Sequence, residues 1–256
     1  MRPSVFVSGG AAGIGKATAE LFAERGHFVG IYDLDGAAAD NLARELGQHR
    51  AVAGALDVRD PAAFASAVGN FAQAAGGALS VLVNNAGVLR MGAFADQSSG
   101  DDRLQIDVNV LGVLNGVRAA LPHMQAAAKG VIVNLSSASA LYGTPDLAVY
   151  SATKFAVRGL TEALDIELGP MGIRVADVLP GFVDTDMVRS QATPSQSLKN
   201  MGAKLTARDV AEAVWTAAHK KRLHVFLDPT LQLMQRLGGA APSLAKRVMQ
   251  HYSRPR

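Results

Sequence analysis

Short runs of apolar, largely β-branched residues alternate with longer segments whose apolar positions recur at helical spacing. The strand-like runs are 4–8, 28–32, 50–55, 81–84, 131–136 and 174–179. Most are near-continuous Val, Ile, Leu and Ala, the composition of strands buried on both faces. Between them lie helix-length segments at 15–25, 37–47, 61–75, 101–128 and 150–169. This rhythm predicts an α/β fold with a parallel sheet and helices on both sides. Right-handed crossovers favour a doubly wound, three-layer α/β/α arrangement in a single domain. No linker-like stretch divides the first 185 residues.

The pattern changes at 184–204, which is polar and rich in Ser, Gln and Thr. This segment is expected to be a mobile loop with some helix, acting as a substrate lid. A helix (206–220) and a short strand (224–227) close a body of residues 1–228. Residues 229–256 form a basic extension in which Leu231, Leu233, Met234, Leu237, Leu244, Val248 and Met249 give an apolar side.

The chain has no cysteine, which excludes disulfides, thiolate metal sites and a cysteine nucleophile. No metal is expected. With no leader-like start and no apolar stretch of roughly 18–20 residues, the expectation is a soluble, cytoplasmic protein. The net charge of +3 is uneven. From His219 onward eight Lys and Arg face Asp228 alone, so the tail carries +7 and the first 218 residues −4. Aromatic residues are only 5% of the chain, so a nucleic-acid partner, which needs a basic body with stacking rings, is not expected. The tail is expected to pack over the substrate cleft or against a second subunit. Contact with an anionic membrane surface is the lesser alternative.

After the first strand comes Ser8-Gly9-Gly10-Ala11-Ala12-Gly13-Ile14-Gly15, running into a helix. Glycines let a backbone bend sharply and approach a phosphate, and the helix N-terminus offers free N–H groups. An ordinary glycine-rich turn is the plainer alternative. Asp33 ends the second strand, twenty residues after Gly13, where a carboxylate can accept from adenosine ribose hydroxyls. It would repel a 2′-phosphate, and neither Ala12 nor Leu34 offers a cation, so NAD is expected rather than NADP. Asp35 is expected to cap the next helix. Asp57-Val58 follows the third strand, where the carboxylate either accepts from an adenine amino group or is a solvated loop acid. Asn85-Ala86-Gly87 follows the fourth strand as a close backbone approach to the cofactor, or simply as a turn.

Tyr150-Ser151-Ala152-Thr153-Lys154 places a phenol and an ammonium one helical turn apart on one face. A phenol is a poor base at neutral pH, and a nearby cation is expected to lower its pKa. The pair suits general acid–base work on a hydroxyl or carbonyl oxygen.

Taken together, Ser8–Gly15, Asn84–Gly87, Asn109, Ser137, Tyr150–Lys154 and Pro180-Gly181, in this order and spacing, resemble the classical short-chain dehydrogenase/reductase family. The resemblance spans about residues 4–186 and implies a Rossmann-type fold. It implies that Ser137 hydrogen-bonds the substrate oxygen and Tyr150 donates or accepts the proton. Lys154 would hold the nicotinamide ribose and depress the Tyr150 pKa, and Asn109 would help bind a relay water. Pro180, Gly181 and Val183 would orient the nicotinamide, and Thr185 would contact the cofactor. Leu141, Tyr142, Phe182, Met187 and Val188 form the expected substrate wall, which is mostly apolar. The reading is therefore an NAD-dependent oxidoreductase acting on an apolar secondary alcohol or ketone. A non-catalytic dinucleotide sensor or a methyltransferase would not need Ser137, Tyr150 and Lys154 together. The family's Asp-Gly-Gly-type ending is replaced by Asp228-Pro229, which puts its usual tetramer contact in question. A homodimer through 101–128 and 150–169 is expected ahead of a homotetramer.

Overall fold

The computed structural model describes residues 2–77, 79–127, 129–238, 246–247, 250–251 and 253. The chain runs through β1 (Ser4–Ser8), α1 (Gly13–Glu24), β2 (Phe28–Asp33), α2 (Gly36–Leu46), β3 (Ala51–Ala55) and α3 (Pro61–Ala74). Then come β4 (Val81–Asn84), α4 (Ser99–Ile106), a π-helical turn (Asp107–Leu111), α5 (Gly112–Ala127), β5 (Gly130–Leu135) and α6 (Ala148–Leu168). They are followed by β6 (Ile173–Leu179), α7 (Asp186–Arg189), α8 (Gln196–Met201), α9 (Ala207–His219), β7 (His224–Phe226) and α10 (Pro229–Gly238).

All seven strands pair in parallel, in the order β3-β2-β1-β4-β5-β6-β7. This is the doubly wound Rossmann-type sheet, and its order reverses between β1 and β4. Side chains alternate across it. Val5, Val7, Val29, Ile31 and Val83 face one core with Phe22 of α1, Leu42 of α2 and Val214 of α9. Phe6, Phe28, Leu82 and Ile132 face the other with Phe64 and Phe71 of α3, Val117 of α5 and Leu168 of α6. Both faces are covered, which explains the near-continuous apolar strands. A polar thread crosses the second layer. Asn84 Nδ2 donates to Asn134 Oδ1 (2.9 Å), and Asn134 Nδ2 donates to Thr161 Oγ1 (2.9 Å).

Local chemistry sets the helix ends. Asp35 accepts from Ala38 N–H, as its position suggested, and Asp60 caps α3 ahead of Pro61. Thr206 and Asp209 close a capping box on α9. The single helix expected at 101–128 is instead divided by the π turn, which contains Asn109. Residues 184–204 carry two short helices, α7 and α8. Exposed Ile106, Leu111, Phe155 and Ile166 lie on the segments named above for a dimer. Among the described residues no helix is long and apolar enough to cross a membrane. Of the tail's apolar positions, Leu244, Val248 and Met249 lie outside the described residues.

Where α1 meets α9, His27 is enclosed by Phe22, Trp215 and His219, with ring centroids at 5.0, 5.2 and 5.6 Å. Burial, and then the neighbouring His219, push its pKa down from 6.5 to about 4. The unfolded chain therefore binds this proton first. The stability it contributes is complete above pH 6.5 and is lost as pH falls towards about 4. A shift of this size corresponds to about 3 kcal/mol. Denaturant unfolding at pH 7 and pH 4 is expected to show this loss, and His27→Phe is expected to reduce it. An unchanged pH slope in the variant would contradict the assignment.

Candidate active site

The carboxyl ends of β1 to β6 open onto one cavity of about 1230 Å³. That exceeds the roughly 300–1,000 Å³ of ordinary small-molecule pockets. It sits where the strand order reverses, the place where open α/β sheets bind ligands.

One half is built from the glycine turn. Gly9 (φ 63°) and Gly13 (φ 51°) occupy left-handed backbone that favours glycine. Helix α1 begins on Ala12, whose side chain cannot cap it, and its first turn has no acid. The start of the helix thus lacks a side-chain cap, and Ala12, Gly13 and Ile14 line the cavity. This fits an anionic pyrophosphate. Asp33 lines the same half and secures the turn, accepting from Ala11 N–H (3.0 Å) and Asp35 N–H (3.1 Å). Leu34 beside it is 73% exposed, open to stack on a planar ring. Asp57 and Val58 also line the cavity. The Asp57 carboxylate is gripped by the Arg59 guanidinium (Nε to Oδ1, 2.9 Å), which holds its pKa below the usual carboxylate range. Asn85, Ala86 and Gly87 form the floor, with Pro180, Gly181, Val183 and Thr185 opposite.

Ser8, Gly15 and Asn109, expected at the site, do not line the cavity. Ser8 lies beneath the turn, its Oγ accepting from Asn85 and Ala86 N–H (both 3.2 Å) and so fixing the β4 loop. Gly15 packs against Gly9 and Asn85. Asn109 is fully buried. Its Oδ1 accepts from Val88 N–H (2.8 Å), and its Nδ2 donates to Val88 O (2.9 Å) and Thr153 Oγ1 (3.2 Å). The π turn thus anchors the β4 loop to α6.

In the other half, Ser137, Tyr150 and Lys154 meet on the cavity wall. Ser137 Oγ also accepts from Ser139 N–H (3.2 Å), which fixes the turn after β5. Lys154 Nζ lies 5.5 Å from the Tyr150 ring centre and donates to Leu135 O (2.7 Å). The Tyr150 pKa runs opposite to expectation. Burial pushes the phenol up to about 12, and the hydrogen bond with Ser137 only partly offsets this. Burial also pushes Lys154 down to about 8. For both groups desolvation is the largest cause of the shift.

The remaining wall is mostly apolar. Leu89, Met91 and Leu147 are buried together, with Tyr150, Phe182, Val188 and Leu198 packed on them. Leu141, Tyr142, Met187 and Val188 line the space beside them. Sequence reasoning missed Arg59, Asn200, Met201 and Lys204, all on the lining. Asp228, Thr230 and Leu231 bring to the rim the start of the C-terminal extension, which was expected over the substrate cleft or against a second subunit. Arg59 left a readable sign, a cation two residues after Asp57, and Asn200, Met201 and Lys204 fall within the lid expected at 184–204.

A seven-stranded parallel sheet with a dinucleotide-sized crevice and a partly buried phenol, a buried ammonium and a buried hydroxyl on one wall defines a Rossmann-type oxidoreductase. Residues 3–196 match the family described as short chain dehydrogenase, and the chain belongs to it. The chain is 42% identical to the 3-alpha-(or 20-beta)-hydroxysteroid dehydrogenase of Mycobacterium tuberculosis over 181 residues, 71% of this chain and 69% of that protein. A short chain dehydrogenase/reductase from Burkholderia phymatum in complex with NAD superposes with a TM-score of 0.84, at 26% identity over 95% of each chain. ElxO with NADP bound gives 0.80 at 28% identity, covering 91% of this chain and 100% of that one. Members of both cofactor types thus share this architecture, and the chain is an oxidoreductase acting on alcohol or carbonyl groups.

Proposed function

We propose that the chain transfers a hydride between NAD(H) and an apolar secondary alcohol or ketone, with Tyr150 handling the hydroxyl proton. The observation that carries this reading is a shared cavity. The uncapped start of α1 and Asp33 lie at one end, and Ser137, Tyr150 and Lys154 at the other. The bound dinucleotide would supply the hydride donor or acceptor. Ser137 and Tyr150 would hold the substrate oxygen, and Lys154 the ribose hydroxyls. Residues 184–204 would cover the substrate, since α7 and α8 contribute Met187, Val188, Ser197 and Met201 to the wall. The apolar lining and the hydroxysteroid-acting relative support a bulky apolar substrate.

NAD is preferred on this reading because Asp33 places a carboxylate where a 2′-phosphate would come, and like charges in such contact cost several kcal/mol. NADH fluorescence and turnover over a panel of alcohols and ketones, with both dinucleotides, test the reading. Asp33→Ala is expected to lower the NAD-to-NADP ratio of kcat/KM by about tenfold or more, equivalent to about 1.4 kcal/mol. A wild-type protein that turns over with NADP alone would refute the preference.

A further inference from the structure

Asp146 is, among the described residues, the one non-glycine residue with a positive φ, at 65°. A side chain with a Cβ is disfavoured there, and such backbone persists where surrounding contacts fix it. Two contacts do so. The Asp146 carbonyl accepts from Gly92 N–H (2.9 Å), tying it to the loop after β4. Its carboxylate Oδ2 accepts from Gln196 N–H (3.2 Å), the first residue of α8. Met91 N–H donates to Gln191 Oε1 (3.1 Å), which ties the loop after β4 directly to the cover. The next residue, Leu147, is 1% exposed in the apolar cluster that supports Tyr150. One strained residue thus joins the turn before α6, the loop after β4 and the cover.

We propose that Asp146 is a positioning residue that latches 184–204 onto the substrate wall and so sets the affinity for substrate. This rests on the reading of 184–204 as the substrate cover. Glycine relieves the backbone and removes the acceptor, whereas Asn tolerates this conformation and keeps an amide oxygen. A purely structural role predicts that Asp146→Gly is stabilising and leaves KM alone. A latch predicts the reverse for KM.

The test compares wild type, Asp146→Gly and Asp146→Asn by amide hydrogen exchange and steady-state kinetics, using the best substrate of the panel. Asp146→Gly is expected to speed exchange over residues 186–201 about tenfold, while sheet exchange stays unchanged. Its substrate KM is expected to rise about tenfold, with kcat and dinucleotide affinity within about twofold and Asp146→Asn close to wild type. Exchange needs no turnover, so it separates the latch from the proposed reaction. Faster exchange without any turnover removes the oxidoreductase reading and leaves the mechanical latch. Unchanged exchange, or an unchanged KM despite turnover, overturns the proposal.

Discussion

Tyr150→Phe is expected to lower kcat by about 10²–10⁴-fold, the range general acid–base catalysis contributes, while NADH affinity stays close to wild type. The substitution removes one oxygen and keeps the ring that packs on Leu89, Met91 and Leu147. The glycine turn and Asp33 are untouched, and Lys154 keeps its bond to Leu135 O. Binding and chemistry are therefore separable in this variant. Nicotinamide fluorescence reads the first and steady-state turnover the second. Substantial turnover in the variant would remove Tyr150 from the chemistry. A parallel loss of NADH binding would mean that the phenol shapes the cofactor site instead.

The same residue fixes the sign of the pH response. With the phenol pushed up to about 12, it is protonated throughout the neutral range. On the proposed reading it would then give a proton to a carbonyl oxygen. Alcohol oxidation needs the phenolate, so its rate is expected to rise with pH, while carbonyl reduction needs no such rise. A pH profile in both directions checks this, and an oxidation rate that falls between pH 7 and pH 9 would contradict it.

What the sequence revealed was whatever depends on spacing along one element. Tyr150 and Lys154 sit one turn apart on α6 whatever packs on that helix, and Asp35 caps α2 because it immediately precedes it. The alternation of apolar strands and helices determined the layers in the same way. Properties set by contacts between distant segments were hidden. The direction of the Tyr150 shift depends on burial by Leu147 and its neighbours, which spacing does not encode. The grip of Arg59 on Asp57 and the π turn at Asn109 depend on how loops meet. The left-handed Asp146 gave no sign, since Asp-Leu is an unremarkable dipeptide. Leu231 reaches the rim only because β7 joins the sheet beside β6 and delivers the chain there.

Gly15→Ala is expected to weaken dinucleotide binding about a hundredfold, equivalent to about 2.7 kcal/mol, and to destabilise the fold by about 1–3 kcal/mol, the usual cost of overpacking. Gly15 has no unusual φ, so its glycine is required by space alone. A Cβ there would overlap the Gly9 carbonyl oxygen and sit 2.8 Å from its carbon and 2.6 Å from Asn85 Nδ2. That carbonyl accepts from Asn85 Nδ2 (2.8 Å), so it cannot swing away without releasing the β4 loop. Gly9 cannot retreat either, because its own Cβ position is 2.8 Å from Ala86 Cα. The displacement therefore reaches both the turn and the cofactor floor. Gly13→Ala provides the control. Its Cβ would meet only Thr185 Cγ2 at an ordinary 3.5 Å, leaving the left-handed φ as the main penalty, about 1–2 kcal/mol. NADH titration and denaturant unfolding of both variants should rank Gly15→Ala as the more damaging to binding. The opposite order would mean that the close packing of the turn does not set the phosphate site.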